Sequence, residues 1–330
     1  MHDILLTVSK RAELAQAAAE MYYLNLDTMD SIARALGVSR STVSRLLAFA
    51  RETGIVRISV DSVSKSDTAL ALEDTFGINV VCVPIRRPLT AVARLSTVAK
   101  VAAERLNHMV TNDQVIGVAW GNTTSEVLRH VTPSPRENVT VVQLNGSTSL
   151  RNQGYTHADT VLSRAVEVFD AEIVPFPVPA FFDYVETKQA MWKERAVLSV
   201  VDLIHDADLM VFGVGAFHSS VPSLVYSGGY LESEQVAELS NDGVVGDVCT
   251  VLLREDGTYE DIELNKRASG PTPKELMRVD RRLCVVAGQN KASALLGALR
   301  TGVVTDLVVD EDTGRATLER ARATSRRRKF

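Results

Sequence analysis

The stretch Gly117-Val-Ala-Trp-Gly-Asn-Thr-Thr124 runs an apolar segment into the start of a helix. The first N–H groups of a helix have no intrahelical partner. Together with Gly121, Asn122 and the hydroxyls of Thr123 and Thr124 they make a cradle suited to a phosphate; a plain tight turn with a threonine cap has the same sequence. Four further apolar runs adjoin Gly and small polar residues: Asn145-Gly146-Ser147, Gly213-Val-Gly215, Gly246-Asp247 and Gly288-Gln-Asn-Lys291. Asp247 can accept hydrogen bonds from sugar hydroxyls or close its turn. Lys291 can pair with a phosphate or stand as a surface lysine. Ser147 has no evident His partner, and His157, His205 and His218 show no metal-ligand spacing, so neither catalytic residues nor a metal or other cofactor is expected.

A second chemistry sits near the N-terminus. The net charge of −5 argues against a nucleic-acid binder, but residues 34–57 hold five arginines (34, 40, 45, 51 and 57) against Glu52 alone. Such a patch on an acidic body attracts DNA locally; it can also be one solvated helix face. Around it, apolar residues recur at helical spacing: Leu14, Ala18, Met21 and Tyr22; then Met29, Ile32, Ala33 and Leu36; then Val43, Leu46, Leu47 and Ala50. Gly37 can end the second helix and Ser39 can cap the third. Ala33, Gly37 and Val43 meet the steric needs of a helix-turn-helix. The outer face of its second helix offers Ser39, Arg40, Ser41, Thr42, Ser44 and Arg45 for base edges and phosphates. A plain three-helix bundle is the competing reading. Gly54–Val60 predicts a short wing strand, with Arg57 reaching a phosphate or facing solvent.

These residues need two frames to hold them. Residues 61–69 are polar and aperiodic and predict a linker between a domain at 1–60 and one at 70–323; residues 324–330 form a basic tail, disordered or lending non-specific DNA affinity. In the large domain, strands are expected at Val80–Val83, Val115–Ala119, Val139–Leu144, Leu209–Gly213, Val248–Leu253, Leu283–Ala287 and Leu307–Val309. Helices are expected at Ala91–Met109, Ser125–Val131, His157–Phe169 and Lys291–Leu299. The alternation predicts a mainly parallel, Rossmann-like α/β sheet that binds ligands at its strand carboxyl ends. Glu255–Thr258 predicts a hairpin turn. The composition, 45% hydrophobic and 23% charged, is that of a soluble globular chain. No run approaches the roughly 18 apolar residues of a membrane span, and the N-terminus lacks a signal-peptide pattern. Cys82, Cys249 and Cys284 read as buried thiols in a reducing cytoplasm.

The run Ile32-Ala-Arg-Ala-Leu-Gly-Val-Ser-Arg-Ser-Thr-Val-Ser-Arg-Leu-Leu47, followed by Gly54-Ile-Val56, resembles the N-terminus of the SorC family of sugar-binding transcriptional regulators. The resemblance continues through Gly117…Trp120-Gly-x-Thr123, Asn145-Gly146, Gly213-x-Gly215, Gly246-Asp247 and Gly288…Lys291, over nearly the whole chain. It implies an effector domain like that of sugar-phosphate isomerases, a double-stranded DNA operator and a homotetramer. By position it also implies that Thr123 and Thr124 hold a phosphate, that Lys291 contacts it and that Asp247 faces the sugar. The alternatives are a sugar-phosphate isomerase or deaminase with an appended DNA-binding module, and a DNA-binding protein whose large domain only oligomerises. Around Gly154–His157 and Phe217–Ser220 no individual contacts can be carried over.

Overall fold

The computed structural model describes residues 2–56, 65–148, 157–217, 219–221 and 223–327. The chain divides into two compact units, Met1–Ser64 and Lys65–Phe330.

The first unit holds α1 (His2–Ala19), a π-helical turn over Glu20–Leu24, α2 (Met29–Leu36) and α3 (Arg40–Glu52). Its core is Ala15, Ala18 and Ala19 of α1, Ile32 of α2, and Val43, Leu46, Leu47 and Ala50 of α3, with Leu14, Met21, Tyr22 and Ala33 packed against them. Thr28 caps α2 by accepting the Ser31 N–H at 3.2 Å. Gly37 ends α2 at φ 63°, ψ 33°, a conformation that costs most residues energy and glycine almost none. Ser39 then caps α3, its Oγ accepting the Thr42 N–H at 3.2 Å. The predicted wing strand falls largely on residues 57–60, outside the described residues, as does Arg57.

The second unit runs α4 (Asp67–Phe76), β1 (Asn79–Val83), α5 (Ala91–Met109), β2 (Val115–Val118), α6 (Asn122–His130), β3 (Thr140–Gln143), α7 (His157–Phe169) and β4 (Glu172–Val174). It continues with α8 (Val185–Met191), α9 (Arg195–His205), β5 (Leu209–Gly213), β6 (Gly215–Ala216), α10 (Leu224–Ser227), α11 (Ser233–Asn241), β7 (Val244–Val248) and β8 (Val251–Arg254). α12 (Pro273–Leu276), β9 (Arg281–Val286), α13 (Ala292–Arg300), β10 (Asp306–Asp310) and α14 (Glu311–Arg327) close it. Seven strands form one sheet in the order β1-β10-β9-β5-β2-β3-β4, every neighbouring pair parallel.

Successive strand residues face opposite sides of this sheet. Leu209 and Val211 pack with the α5, α6 and α7 side chains, whereas Met210 and Phe212 pack with α4, α9, α13 and α14. Both faces are therefore apolar and covered, as a parallel sheet requires. The chain leaves β2 for β3 and β4 on one side, then returns to β5 on the other. The order thus reverses between β2 and β5, and a crevice opens beyond their carboxyl ends.

Three expectations change here. The single strand over Val248–Leu253 is a hairpin: β7 and β8 pair antiparallel around Cys249 and Thr250, and with β6 they form a separate three-stranded sheet. Cys249 (φ 49°) and Thr250 (φ 70°) both lie in the left-handed region that a two-residue hairpin turn needs, without the Gly or Asn that signals one. The linker is shorter than 61–69, because Ser66 caps α4 by accepting the Ala69 N–H at 3.2 Å; its residues 61–64 lie outside the described residues. The polar run Ser66–Thr68 is a helix start, further held by Glu311, which accepts both hydroxyls. α14 continues through Arg327, so most of the basic tail is helical, and residues 328–330 lie outside the described residues.

Smaller adjustments follow. α6 starts at Asn122, three residues before the expected helix. Lys291 ends a 3-10 turn over Gln289–Lys291 that leads into α13. Glu255–Thr258 closes a turn through the Arg254 N–H to Thr258 carbonyl bond, but no strand follows it. Cys249 and Cys284 are buried and Cys82 half-buried. Burial pushes Cys82 and Cys284 up to about 12 and Cys249 well up, so all three stay thiols.

Candidate effector cleft and nucleic-acid interface

Beyond the carboxyl ends of β3, β2, β5 and β9 lies a cleft of about 660 Å³, part of it open to solvent. Nine of the ten anticipated effector residues line it. β2 delivers Gly121, Asn122, Thr123 and Thr124; β5 delivers Gly213 and Gly215; β3 delivers Asn145; the turn after β9 delivers Lys291; and β7, from the small sheet, delivers Asp247. Four adjacent parallel strands thus converge residues that lie up to 170 positions apart in sequence (291 minus 121).

Gly121 precedes α6 at φ 151°, ψ 170°, backbone space that is essentially glycine's alone. No side chain caps this helix. The Gly121 carbonyl accepts the Ser125 N–H at 3.0 Å and the Thr124 hydroxyl at 3.1 Å. Gly121, Asn122, Thr123 and Thr124, at the start of this helix, line the cleft, where the helix dipole favours an anion. Gly213 lies under Thr123, where a Cβ would press on the threonine side chain.

The far wall is buried and charged. Asp247 sits inside β7, paired with Gly215 of β6 and Leu252 of β8. It closes its turn, one of its two expected roles. Its Oδ2 accepts the Thr250 N–H at 3.1 Å and closes the hairpin, while its Oδ1 is buried without a hydrogen bond. Gly215 permits this, because a Cβ there would run into Oδ1. Burial raises the Asp247 carboxyl above its usual range, opposed by Tyr226, the Thr250 N–H and Lys291. Lys291 is no surface lysine: it is 7% exposed and its Nζ donates to the Val214 carbonyl at 2.8 Å. Burial lowers its pKa, opposed by Asp247.

Among the described residues, five buried side-chain polar atoms lack a hydrogen bond. Two of them, Asn145 Oδ1 and Asp247 Oδ1, line this cleft, and a third, Tyr226 Oη, is close enough to Asp247 to shift its titration. Orphaned buried acceptors cost free energy that a donor-bearing ligand recovers.

Gly146 is the exception among the ten. It lies behind the cleft, where a Cβ would run into the Val178 and Pro179 carbonyls, and its N–H donates to Ser269 Oγ at 2.9 Å. Trp120 holds this strand end, its Nε1 donating to the Asn145 and Gly146 carbonyls at 3.1 and 2.9 Å. Tyr230 stacks on the indole at 5.0 Å and donates to the Ser147 carbonyl. Sequence reasoning assigned no role to Trp120, Cys249, Thr250 or the wall from Ser223 to Val225. Trp120 carried a signal in its place beside Gly121; the wall carried none.

In the first unit, Arg40, Ser41, Ser44 and Arg45 are exposed on one face of α3, opposite the buried Val43, Leu46 and Leu47. Ser39 and Thr42 are engaged in the cap: Ser39 Oγ lies 2.8 Å from Ser41 Oγ and 2.9 Å from Thr42 Oγ1. Arg45 donates to Thr42 Oγ1 at 3.3 Å, and Arg40 pairs loosely with Asp30 at 3.9 Å. No helix among the described residues is long and apolar enough to cross a membrane, and no cluster of metal-ligating side chains occurs among them.

Residues 61–319 match the family model described as "Putative sugar-binding domain". The chain is 28% identical over 309 residues to the deoxyribonucleoside regulator of Bacillus subtilis, covering 93% of this chain and 97% of that protein. It is 23% identical over 304 residues to the sorbitol operon regulator of Klebsiella pneumoniae, covering 91% and 96%. Among solved structures, a domain of a possible sugar-binding transcriptional regulator from Arthrobacter aurescens superposes with a TM-score of 0.71 at 39% identity, covering 78% of this chain and 99% of that one. The fold of full-length SorC from Klebsiella pneumoniae matches with a TM-score of 0.75 at 22% identity, covering 93% and 98%. The helix-turn-helix pattern, the cleft at the sheet's switch point and the extent of these matches agree: the chain belongs to the SorC-type family of sugar-binding transcriptional regulators.

Proposed function

We propose that residues 1–60 read a double-stranded operator through α3 and that a phosphorylated sugar or polyol in the cleft sets the affinity for it. The observation that carries this reading is the convergence of an uncapped helix N-terminus, the Thr123 hydroxyl and the buried Lys291 ammonium on one cleft. A phosphate dianion gains charge-assisted hydrogen bonds from all three. It also favours the charged form of Lys291, which burial disfavours. Asp247 Oδ1 and Asn145 Oδ1 are acceptors and repel a phosphate, so they take the hydroxyls. Signalling follows when the ligand prefers one arrangement of the assembled protein, since only differential affinity shifts an equilibrium.

The relatives' roles support this reading: their names describe regulators of sorbitol, erythritol and deoxyribonucleoside systems. In the same reading the protein works in the cytoplasm without turning its ligand over. Residues 70–323 assemble it into an oligomer, because one helix-turn-helix covers only a half-site, and the family resemblance makes that oligomer a homotetramer.

An operator mobility shift against a panel of sugar and polyol phosphates tests the proposal. A phosphate ester is expected to change operator affinity where its unphosphorylated parent does not. Thr123→Val is expected to abolish that response while leaving operator binding intact. An unphosphorylated ligand that acts as strongly, indifferent to Thr123→Val, would overturn the reading. Ligand recovered unchanged by NMR after incubation excludes the isomerase alternative.

A further inference from the structure

A groove runs between α1 and α3 of the N-terminal unit. Lys10, Arg11 and Leu14 line one side of it, and Thr42, Arg45 and Leu46 the other. Three of these six residues are cations and none is an acid; Lys10, Arg11 and Arg45 are all exposed. The groove is a fixed feature, because Ala15 and Ala18 of α1 pack with Val43, Leu46 and Ala50 of α3 beneath it. Arg11 is held further, with its guanidinium carbon 4.4 Å from the centroid of the Phe49 ring on α3. Among the described residues no carboxylate pairs with Lys10 or Arg11, whereas Arg40, at the first turn of α3, has Asp30 within 3.9 Å.

We propose that this groove is a clamp for the DNA backbone, in which Lys10 and Arg11 of α1 grip phosphates beside the major groove that α3 enters. The inference rests on reading α3 as the recognition helix and extends the DNA interface to a helix outside the helix-turn-helix. The dimensions permit it. A major groove is about 12 Å wide with a phosphate strand along each edge. A helix packed beside another lies about 8–10 Å from it, axis to axis. Long cationic side chains on α1 therefore reach the strand that α3 lies against. Phosphates carry no direct sequence information, so this clamp sets affinity and register and leaves base discrimination to Arg45.

The test uses the full chain with Lys10→Gln, Arg11→Gln and the double variant, on operator and non-operator duplexes across a salt series. Each lost phosphate contact lowers the magnitude of the slope of log K against log salt by about 0.9 per bound protomer. The variants are expected to weaken both duplexes by the same factor, leaving their affinity ratio unchanged. Lys10→Gln carries the test by itself, since among the described residues Lys10 makes no ion pair or hydrogen bond that its loss would break. Arg45→Ala runs alongside and is expected to reduce the operator preference. If Arg45→Ala reduces that preference while Lys10→Gln and the double variant keep the wild-type slope, the clamp is wrong and the recognition helix stands. If Arg45→Ala leaves the preference untouched, the recognition-helix reading fails and the clamp fails with it.

Discussion

Arg45 and Asp247 stand in opposite surroundings. Arg45 lies on the exposed face of a helix, its neighbours one turn away in sequence and its guanidinium donating to Thr42 three residues back. Asp247 is 4% exposed, faces Lys291 and Tyr226 from other elements, and carries an oxygen with no hydrogen bond. The first arrangement suits a ligand that arrives as a large, rigid surface, because exposed cations keep their charge and reach out. The second suits a small ligand that must be enclosed, because burial makes each unsatisfied group selective. In the proposed reading, affinity for DNA lies on the surface and affinity for the effector in an energetic cost that the ligand relieves.

The largest expected effect separates the two units. Val43 is fully buried at the centre of the small helical core. Val43→Asp places a charge there at a cost above about 3 kcal/mol, enough to unfold so small a unit. Operator binding is expected to disappear from mobility shifts, while calorimetry still records effector binding. Loss of both would show that the cleft depends on the DNA-binding unit.

Asp247→Asn sharpens the comparison from the other side. It keeps an acceptor for the Thr250 N–H but removes the charge, and effector affinity should fall by about 1.5–3 kcal/mol, roughly 10- to 150-fold. Operator binding without effector is expected to stay as in the wild type. The pH dependence follows from the raised carboxyl. The folded chain holds this proton more tightly than the unfolded chain does, so the stability linked to it is present below the ordinary value of 3.8. It is lost as pH rises from there through the raised value. The wild-type stability relative to Asp247→Asn should therefore decline across that window in denaturant titrations. A rise would mean that Lys291 and Tyr226, rather than burial, dominate the site.

Ser39→Ala probes the smallest effect. It removes the α3 cap, costing about 1 kcal/mol of the first unit's stability. Thermal melts and operator binding should register it, and the effector affinity of the cleft should not.

The two sites were legible in the sequence to different depths. The helix-turn-helix was readable because its determinants are local: Ile32, Gly37, Ser39 and Val43 act within one or two turns of each other. The cleft was readable only as separate strand ends. That they belong together followed from the general behaviour of parallel sheets, and nine residues met as expected. Gly146 did not, since a glycine needed for backbone packing looks the same in sequence as one needed at a ligand. The hairpin at Cys249-Thr250 was hidden for a related reason. Its positive φ angles sit in a turn that the Thr250 N–H to Asp247 bond and the β7–β8 pairing close, without a turn residue.

What the sequence by itself determined, then, is the order of elements, the apolar faces that bury them, the caps of α2 and α3, and the polar groups offered at each strand end. These depend on interactions between residues a few positions apart. Tertiary structure alone decided that the small antiparallel sheet brings Asp247 to the cleft, that Lys291 is buried against the Val214 carbonyl, and that Asp247 is buried near its ammonium. Desolvation and the reversal of strand order between β2 and β5 arise from contacts over the length of the chain, and no local spacing encodes them.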